Sequence, residues 1–138
     1  MSSIKHPPSE ELLATALQYM ARAYAPYSKF HVGSALLTDH GKIFGGCNIE
    51  NAAYPLCTCA EANAIANAMS ERVCIIKEIL VVTKTQTPTS PCGACRQRFC
   101  EFAEPNTLVH LCTESGLCET YTFEEILPLP FDKSKLNL

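Results

Sequence analysis

The sequence lacks both long apolar runs and clusters of basic residues. No stretch approaches the roughly eighteen consecutive apolar residues that a membrane-spanning helix requires. Lysine and arginine are dispersed and the formal net charge is -3, so the chain does not show the concentrated positive charge typical of proteins that bind phosphate backbones. The N-terminal residues, with early prolines and glutamates, lack a signal-peptide pattern. We therefore expect a cytoplasmic protein whose partners include neither a membrane nor a nucleic acid.

Length and composition favour one domain over residues 1–138, since the chain is 47% hydrophobic and could bury roughly two thirds of its unfolded surface. Nine cysteines are an unusually high and odd number. In a chain without a signal peptide they are expected to be reduced, some packed as small hydrophobic residues and some binding a metal.

Hydrophobic periodicity predicts helices alternating with strands. Ser9 followed by two glutamates is an N-cap pattern, and the helix it begins should end before Pro26. A turn-rich tetrapeptide at 38–41 predicts an antiparallel hairpin of strands 32–37 and 42–48. The later predicted elements are a helix over 61–70, a strand over 75–83, a helix after Pro91, strands over 108–112 and 120–122, and a helical segment over 123–127. This order indicates an α/β fold with helices layered around a mixed sheet, in which strands joined through helices run parallel.

The strongest chemical signal is a set of cysteines at two predicted helix starts. Cys92 and Cys95 form a Cys-x-x-Cys pair, whose thiolates are favoured at a helix N-terminus and can both face one ion. A catalytic zinc ion takes three protein ligands and leaves one position for water, and Cys59 is the plausible third. Glu61 follows two residues later, so it would lie beside the metal without binding it.

Each half of this pattern is ambiguous alone, because a Cys-x-x-Cys pair also occurs in redox sites and structural zinc sites. Together, with Pro91 before Cys92, the halves match the signature of zinc deaminases, which includes a three-cysteine variant with a non-ligand glutamate. The expected mechanism has a zinc-bound hydroxide attacking C4 of a cytosine ring while Glu61 acts first as base and then as acid. That chemistry leaves no catalytic role for the four histidines, His6, His31, His40 and His110.

Four segments, at 25–30, 46–52, 59–61 and 90–97, carry a closer resemblance. On these motifs the chain resembles the small homotetrameric cytidine deaminases of pyrimidine salvage, over about residues 12–131. The resemblance implies a three-layer sandwich of helices around a mixed, mostly parallel five-stranded sheet. It also implies one Zn²⁺ per subunit and hydrolysis of free cytidine and deoxycytidine to uridine and deoxyuridine, with release of ammonia.

The resemblance assigns nucleoside contacts to several positions. Asn48 and Glu50 are expected to bind the ribose, and Phe30 to pack near the base. The backbone N–H of Ala60 is expected to bind the base O2, and the backbone carbonyl of Ser90 to accept a hydrogen bond from the C4 amine.

In the family tetramer, neighbouring subunits complete each active site. Phe131 matches a C-terminal phenylalanine that stacks on the base bound by a neighbour, and Tyr54 matches a tyrosine of the same intersubunit region. Many members carry an arginine after the catalytic glutamate that hydrogen-bonds zinc-bound sulfur, but here that position is Ala62. We expect the two helix N-termini to offset most of the thiolate charge instead. Arg96 is no special substitute, because the family pattern already has it.

Three alternatives remain open at this point. A deaminase acting on a polynucleotide would need a basic groove and stacking aromatics. A structural zinc module would need a fourth ligand, which Cys57 could supply. A deaminase of the same fold could act on a cytosine nucleoside antibiotic such as blasticidin S, although Asn48 and Glu50 favour a free ribose. Because the motif places the ligand directly before Ala60 and Glu61, Cys57 and the remaining cysteines are expected to be packing residues: Cys47, Cys57, Cys74, Cys100, Cys112 and Cys118.

Overall fold

The structure, a computed structural model, describes residues 4–136. Its elements are α1 (Glu10–Ala21), β1 (Val32–Thr38), β2 (Ile43–Cys47), α2 (Ala60–Glu71), β3 (Ile76–Thr83), α3 (Gly93–Cys100), β4 (Ala103–Thr113), β5 (Cys118–Thr122) and α4 (Phe123–Ile126), with 3-10 turns at Tyr54–Leu56 and Lys133–Leu136. The Ser9 hydroxyl accepts a 3.2 Å hydrogen bond from the Leu12 N–H, which confirms the predicted N-cap of α1. Within residues 4–136, no helix is both long and apolar enough to cross a membrane.

The five strands form one mixed sheet in the order β2-β1-β3-β4-β5, which confirms the strand number and the mixed character. The expectation of a mostly parallel sheet is wrong, because only the β3/β4 pair is parallel. The hairpin places β1 between β2 and β3, so β2, β3 and β4 share a direction while only two of these strands are neighbours. The strands joined through a helix therefore do run in the same direction, but β2 and β3, joined through α2, are not adjacent, whereas β3 and β4, joined through α3, are.

Alternating side chains supply a core to each face of this sheet and produce the expected three layers. In β3, Ile79 and Val81 face the layer of α2 and α3, whereas Leu80 and Val82 face α1. The fully buried Phe99 carries α3 into the first core. Burying one of these aliphatic side chains of β3 stabilises the fold by roughly 1.5–3 kcal/mol. The sheet is therefore a stable support for the helices packed on it.

A glycine sets the distance between β2 and α2. A Cβ built at Gly46 would collide with the α2 backbone, lying 2.6 Å from the Ala60 oxygen and 2.8 Å from the Asn63 carbonyl carbon. Only a residue without a Cβ allows this approach. Two amides at the contact also bond to β2, because Asn63 Nδ2 donates to the Cys47 carbonyl at 2.7 Å and Asn67 Nδ2 to the Gly45 carbonyl at 2.6 Å. The N-terminus of α2 is therefore fixed against the sheet.

Two cysteines expected to be separate packing thiols are joined in the structure. Cys112 and Cys118 form a disulfide that links β4 to β5, with their Cα atoms 4.2 Å apart. The two residues lie directly opposite each other in the antiparallel register, where side chains approach most closely. The sequence spacing alone does not distinguish this pairing from two neighbouring buried thiols.

Candidate active site

Two helix N-termini meet at the site and each is capped by a cysteine. Cys59 is the N-cap of α2 and Cys92 is the N-cap of α3, both with extended backbone angles. Neither thiol makes a side-chain capping hydrogen bond. The N–H groups in the first turn of each helix, and the positive end of each helix dipole, therefore face the site. The structure therefore confirms that α2 and α3 begin where the cysteine motifs predicted.

Cys59, Cys95 and Glu61 form a compact group across the two helices. The Sγ atoms of Cys59 and Cys95 lie 2.8 Å apart, and one ligand atom from each of the three residues lies within 4.8 Å of the others. Cys95 is fully buried and Cys59 is half-buried. The hydrogen bond between the two sulfur atoms is the main cause that lowers the pKa of Cys59 to about 6 and raises the pKa of Cys95.

This donor set fits zinc. Two thiolates this close repel each other, so both ionise only when a cation lies beside them. Thiolate sulfur is a preferred ligand of Zn²⁺, and an ion held by few protein ligands retains a position for water. The residues present would therefore hold the metal that the motif predicts.

The remaining expected ligand, Cys92, is not part of this group. Cys92 is exposed and stands one helical turn before Cys95, and residues three apart are neighbours on a helix surface. The group within 4.8 Å, among the described residues, consists of Cys59, Glu61 and Cys95. Cys57 has other partners, because its thiol lies 3.3 Å from the Asn51 N–H and donates to the Asn51 carbonyl at 3.6 Å.

Glu61 has the burial that its expected role requires. It lies in the first turn of α2 and is only 5% exposed. Burial is the main cause that raises its pKa to about 7, and the nearby Cys59 thiolate adds to the effect. A carboxyl group with this pKa can both accept and return a proton near neutral pH.

The expected ribose residues brace the loop between α1 and β1. Asn48 accepts a 2.9 Å hydrogen bond from the Val32 N–H and donates one of 2.7 Å to the Phe30 carbonyl. Glu50 accepts from the N–H groups of Tyr27 at 2.9 Å and Ser28 at 3.1 Å.

Glu50 also accepts from the Ser28 hydroxyl, which is the largest cause that lowers its pKa. A carboxylate has about four acceptor positions, so Glu50 keeps capacity for one further hydroxyl. It faces a cavity of about 350 Å³ lined by Tyr27, Ser28, Tyr54 and Cys57.

The remaining expected contacts are placed as follows. Ala60 is buried at the first position of α2, where its backbone N–H has no partner within the helix. Ser90 precedes α3, and its hydroxyl accepts a 2.6 Å hydrogen bond from Arg96 Nη2. The side chains of Phe30, Tyr54 and Phe131 are all exposed, by 43%, 69% and 62% respectively. The Phe131 carbonyl is held at 2.8 Å by Gln97 Nε2 of α3.

One residue at the site was missed by the sequence reasoning. Nη1 of Arg98 lies 3.7 Å from Cys59 Sγ and 3.8 Å from Cys95 Sγ. The available signal was its position three residues after Cys95, on the same side of α3. Its contact with Cys59 joins two helices and has no sequence pattern.

Comparisons with known proteins agree with this geometry. Residues 7–112 match the model of the cytidine and deoxycytidylate deaminase zinc-binding region. The chain is 44% identical over 128 residues to a cytidine deaminase of Sporosarcina psychrophila, covering 93% of this chain and 94% of the relative. It is 42% identical over 126 residues to a cytidine deaminase of Halalkalibacterium halodurans, covering 91% and 96%.

Solved structures give the same result. The crystal structure of a cytidine deaminase from Burkholderia pseudomallei superposes with a TM-score of 0.85 at 40% identity, covering 90% of this chain and 99% of that one. A cytidine deaminase from Mycobacterium tuberculosis gives a TM-score of 0.76 at 31% identity, covering 88% and 94%. The fold and the thiol–glutamate site thus define a zinc-binding deaminase. The chain belongs to the cytidine and deoxycytidylate deaminase family.

Proposed function

We propose that the protein hydrolyses the exocyclic amine of free cytidine and deoxycytidine, forming uridine or deoxyuridine and ammonia. The observation that carries this proposal is the buried Glu61 within 4.8 Å of the paired thiols of Cys59 and Cys95. Cytidine deaminases that are 42–44% identical over nearly their whole length support the substrate. In this proposal Cys59, Cys92 and Cys95 hold one zinc ion per subunit.

When bound, a zinc ion would lower the pKa of a water molecule and so supply a nucleophile at neutral pH. Glu61 removes one proton from the attacking water and transfers it to N3 of the cytosine ring as the oxygen adds to C4. Glu61 then carries the second proton to the C4 amine, and the C4–N bond breaks as ammonia leaves. One carboxyl group serves as base and then as acid, which its pKa of about 7 allows.

Substrate orientation in this proposal comes from the groups around the thiols. Asn48 and Glu50 bind the ribose, the Ala60 N–H binds the base O2, the Ser90 carbonyl accepts from the amine, and Phe30 packs against the base. Because backbone N–H groups already hold Glu50, its side chain loses little conformational entropy when it binds a ribose hydroxyl. A preorganised acceptor of this kind favours a nucleoside over a free base.

We further propose a cytoplasmic homotetramer of pyrimidine salvage, with one domain over residues 1–138. The support for the oligomer is a set of exposed aromatic and aliphatic side chains, two of which, Tyr27 and Tyr54, line the Glu50 cavity, since exposed apolar surface is typical of an interface. They are Tyr24, Tyr27, Phe30, Ile49, Tyr54 and Leu56. A neighbouring subunit would cover this surface and contribute Phe131 and Tyr54 to the adjoining pocket.

The test compares wild type with Glu61→Gln at equal zinc content, following the loss of cytidine absorbance. We expect turnover by wild type and a loss of about 10²–10⁴-fold in kcat for the variant, which is the range for a general acid–base group. Deoxycytidine and blasticidin S, added as competitors, distinguish a ribose site from an antibiotic site. Inactivity of zinc-loaded wild type toward both nucleosides would overturn the proposal.

A matched pair of cysteine variants tests the ligand assignment. Cys59→Ser should lose most of its zinc, whereas Cys57→Ser should keep one ion per subunit, because Cys57 is bonded to Asn51. Equal loss in both variants would indicate a closed structural site with Cys57 as a ligand.

A further inference from the structure

Arg98 is the cationic side chain that reaches the thiol pair from α3. A single nitrogen, Nη1, lies 3.7 Å from Cys59 Sγ and 3.8 Å from Cys95 Sγ, so it contacts one thiol on each helix. Long side chains on a helix point back toward its N-terminus. Arg98 therefore extends over Cys95, three residues earlier, and from there reaches the start of α2.

The charge at the site requires such a partner. Three thiolates on one Zn²⁺ carry a formal net charge of about -1, and a carboxylate at Glu61 makes the site more negative. The side chain of Ala62, next to that carboxylate, has no hydrogen-bond donor for sulfur.

The other arginine of α3 is already committed elsewhere. Arg96 donates to the Pro91 carbonyl at 2.9 Å, the Ile126 carbonyl at 3.3 Å and the Ser90 hydroxyl at 2.6 Å, through Nε, Nη1 and Nη2 respectively. All three of its nitrogens are thus bonded to oxygen. Arg96 secures the segment before α3 against α4, whereas Arg98 faces the sulfurs.

We propose that Arg98 is a positioning residue for the zinc site, donating hydrogen bonds to the Cys59 and Cys95 thiolates and offsetting their charge in place of an arginine at position 62. This inference rests on the ligand assignment proposed above. It adds a side-chain cation to the two helix N-termini, which alone were expected to offset most of the charge. Mutating a residue that hydrogen-bonds to a metal ligand commonly lowers metal affinity by about 10–100-fold.

The test measures how fast the intact, zinc-loaded protein releases zinc to an excess of a chelating indicator. Arg98→Gln should release zinc about 10–100-fold faster than wild type. Arg98→Lys should lie between the two, because lysine keeps the charge but lacks the guanidinium fork. The charge-matched control is Arg72→Gln, at the far end of α2 and about 20 Å of helical rise from Cys59. This control should release zinc at the wild-type rate.

A second-site rescue makes the test specific to the arginine's role. Adding Ala62→Arg to Arg98→Gln should restore most of the wild-type zinc retention, which a general loss of folding would not allow. Cobalt-substituted proteins give a spectroscopic readout, because removing hydrogen bonds from thiolate sulfur should shift the sulfur-to-metal charge-transfer band to longer wavelength. Matching far-ultraviolet circular dichroism of all variants would show that the substitutions leave the fold intact.

The outcomes separate the two proposals. Wild type that binds zinc and an Arg98→Gln variant with the same release rate and the same cobalt spectrum would overturn the role of Arg98 alone. Wild type that binds no zinc would overturn the proposed function and this inference with it.

Discussion

Replacing Gly46 with alanine tests whether the β2–α2 approach positions the site. An ordinary contact of 3.4 Å to the Ala60 oxygen, which the new Cβ would meet at 2.6 Å, requires β2 and α2 to separate by at least about 0.8 Å, and the Ala64 nitrogen lies closer still. The neighbouring atoms are backbone, so no side chain can rotate to relieve the collision. Overpacking of this kind costs about 1–3 kcal/mol of the free energy of unfolding.

The same displacement shifts the start of α2, which carries Cys59 and Glu61, relative to α3. A misplacement approaching 1 Å can reduce catalysis by about 10²-fold, so we expect kcat/KM for cytidine to fall by tens of fold or more. The assays are urea unfolding and steady-state deamination at matched zinc content.

Gly93→Ala is the matched control for stability. Gly93 begins α3, and a Cβ there would meet no other atom within 4 Å. Its free energy of unfolding should stay the same or rise by up to about 1 kcal/mol. Gly46→Ala with wild-type stability and with kcat/KM within a factor of two would refute the positioning argument.

Two further predictions concern the sheet and the substrate loop. Burial lowers the pKa of His110 below its ordinary value, so the unfolded state binds more protons and the free energy of unfolding should fall as the pH drops below about 6.5. In urea titrations at several pH values, His110→Gln should show a smaller fall than wild type. Parallel pH curves for the two proteins would contradict this prediction. Asn48→Asp replaces the donor to the Phe30 carbonyl with an acceptor. The free energy of unfolding should therefore fall by about 1–3 kcal/mol, and KM for cytidine should rise. Unchanged values in urea unfolding and steady-state kinetics would show that this hydrogen bond does not hold the loop.

Local signals predicted most element positions because their causes lie within a few residues. The cap at Ser9 defined α1, and the turn at 38–41 predicted the hairpin later found as Val32–Thr38 and Ile43–Cys47. The start of β4 was placed at residue 108, although the strand begins at Ala103. Between Ala103 and Leu108 the pairing with β3 is irregular, and the Thr107 hydroxyl bonds to the Ile76 carbonyl at 2.7 Å. The prediction therefore identified only the regular part of the strand.

Features that depend on contacts between distant segments could not be predicted in the same way. The sheet direction was misjudged because chain order does not show that β1 lies between β2 and β3. The Cys112–Cys118 disulfide depends on the β4–β5 register, and the Arg98 contact with Cys59 depends on the crossing of α2 and α3. Spacing predicted that Cys59 and Cys95 meet, but not that Arg98 lies beside them.

X-ray absorption at the zinc edge of the purified protein tests the central claim most directly, because it counts the atoms bound to the metal. An open catalytic site held by Cys59, Cys92 and Cys95 predicts three sulfur ligands and one lighter atom. In Cys92→Ser the sulfur count should fall to two. Four sulfur ligands in wild type would indicate a closed structural site, leave no position for water beside Glu61, and contradict the proposed deaminase.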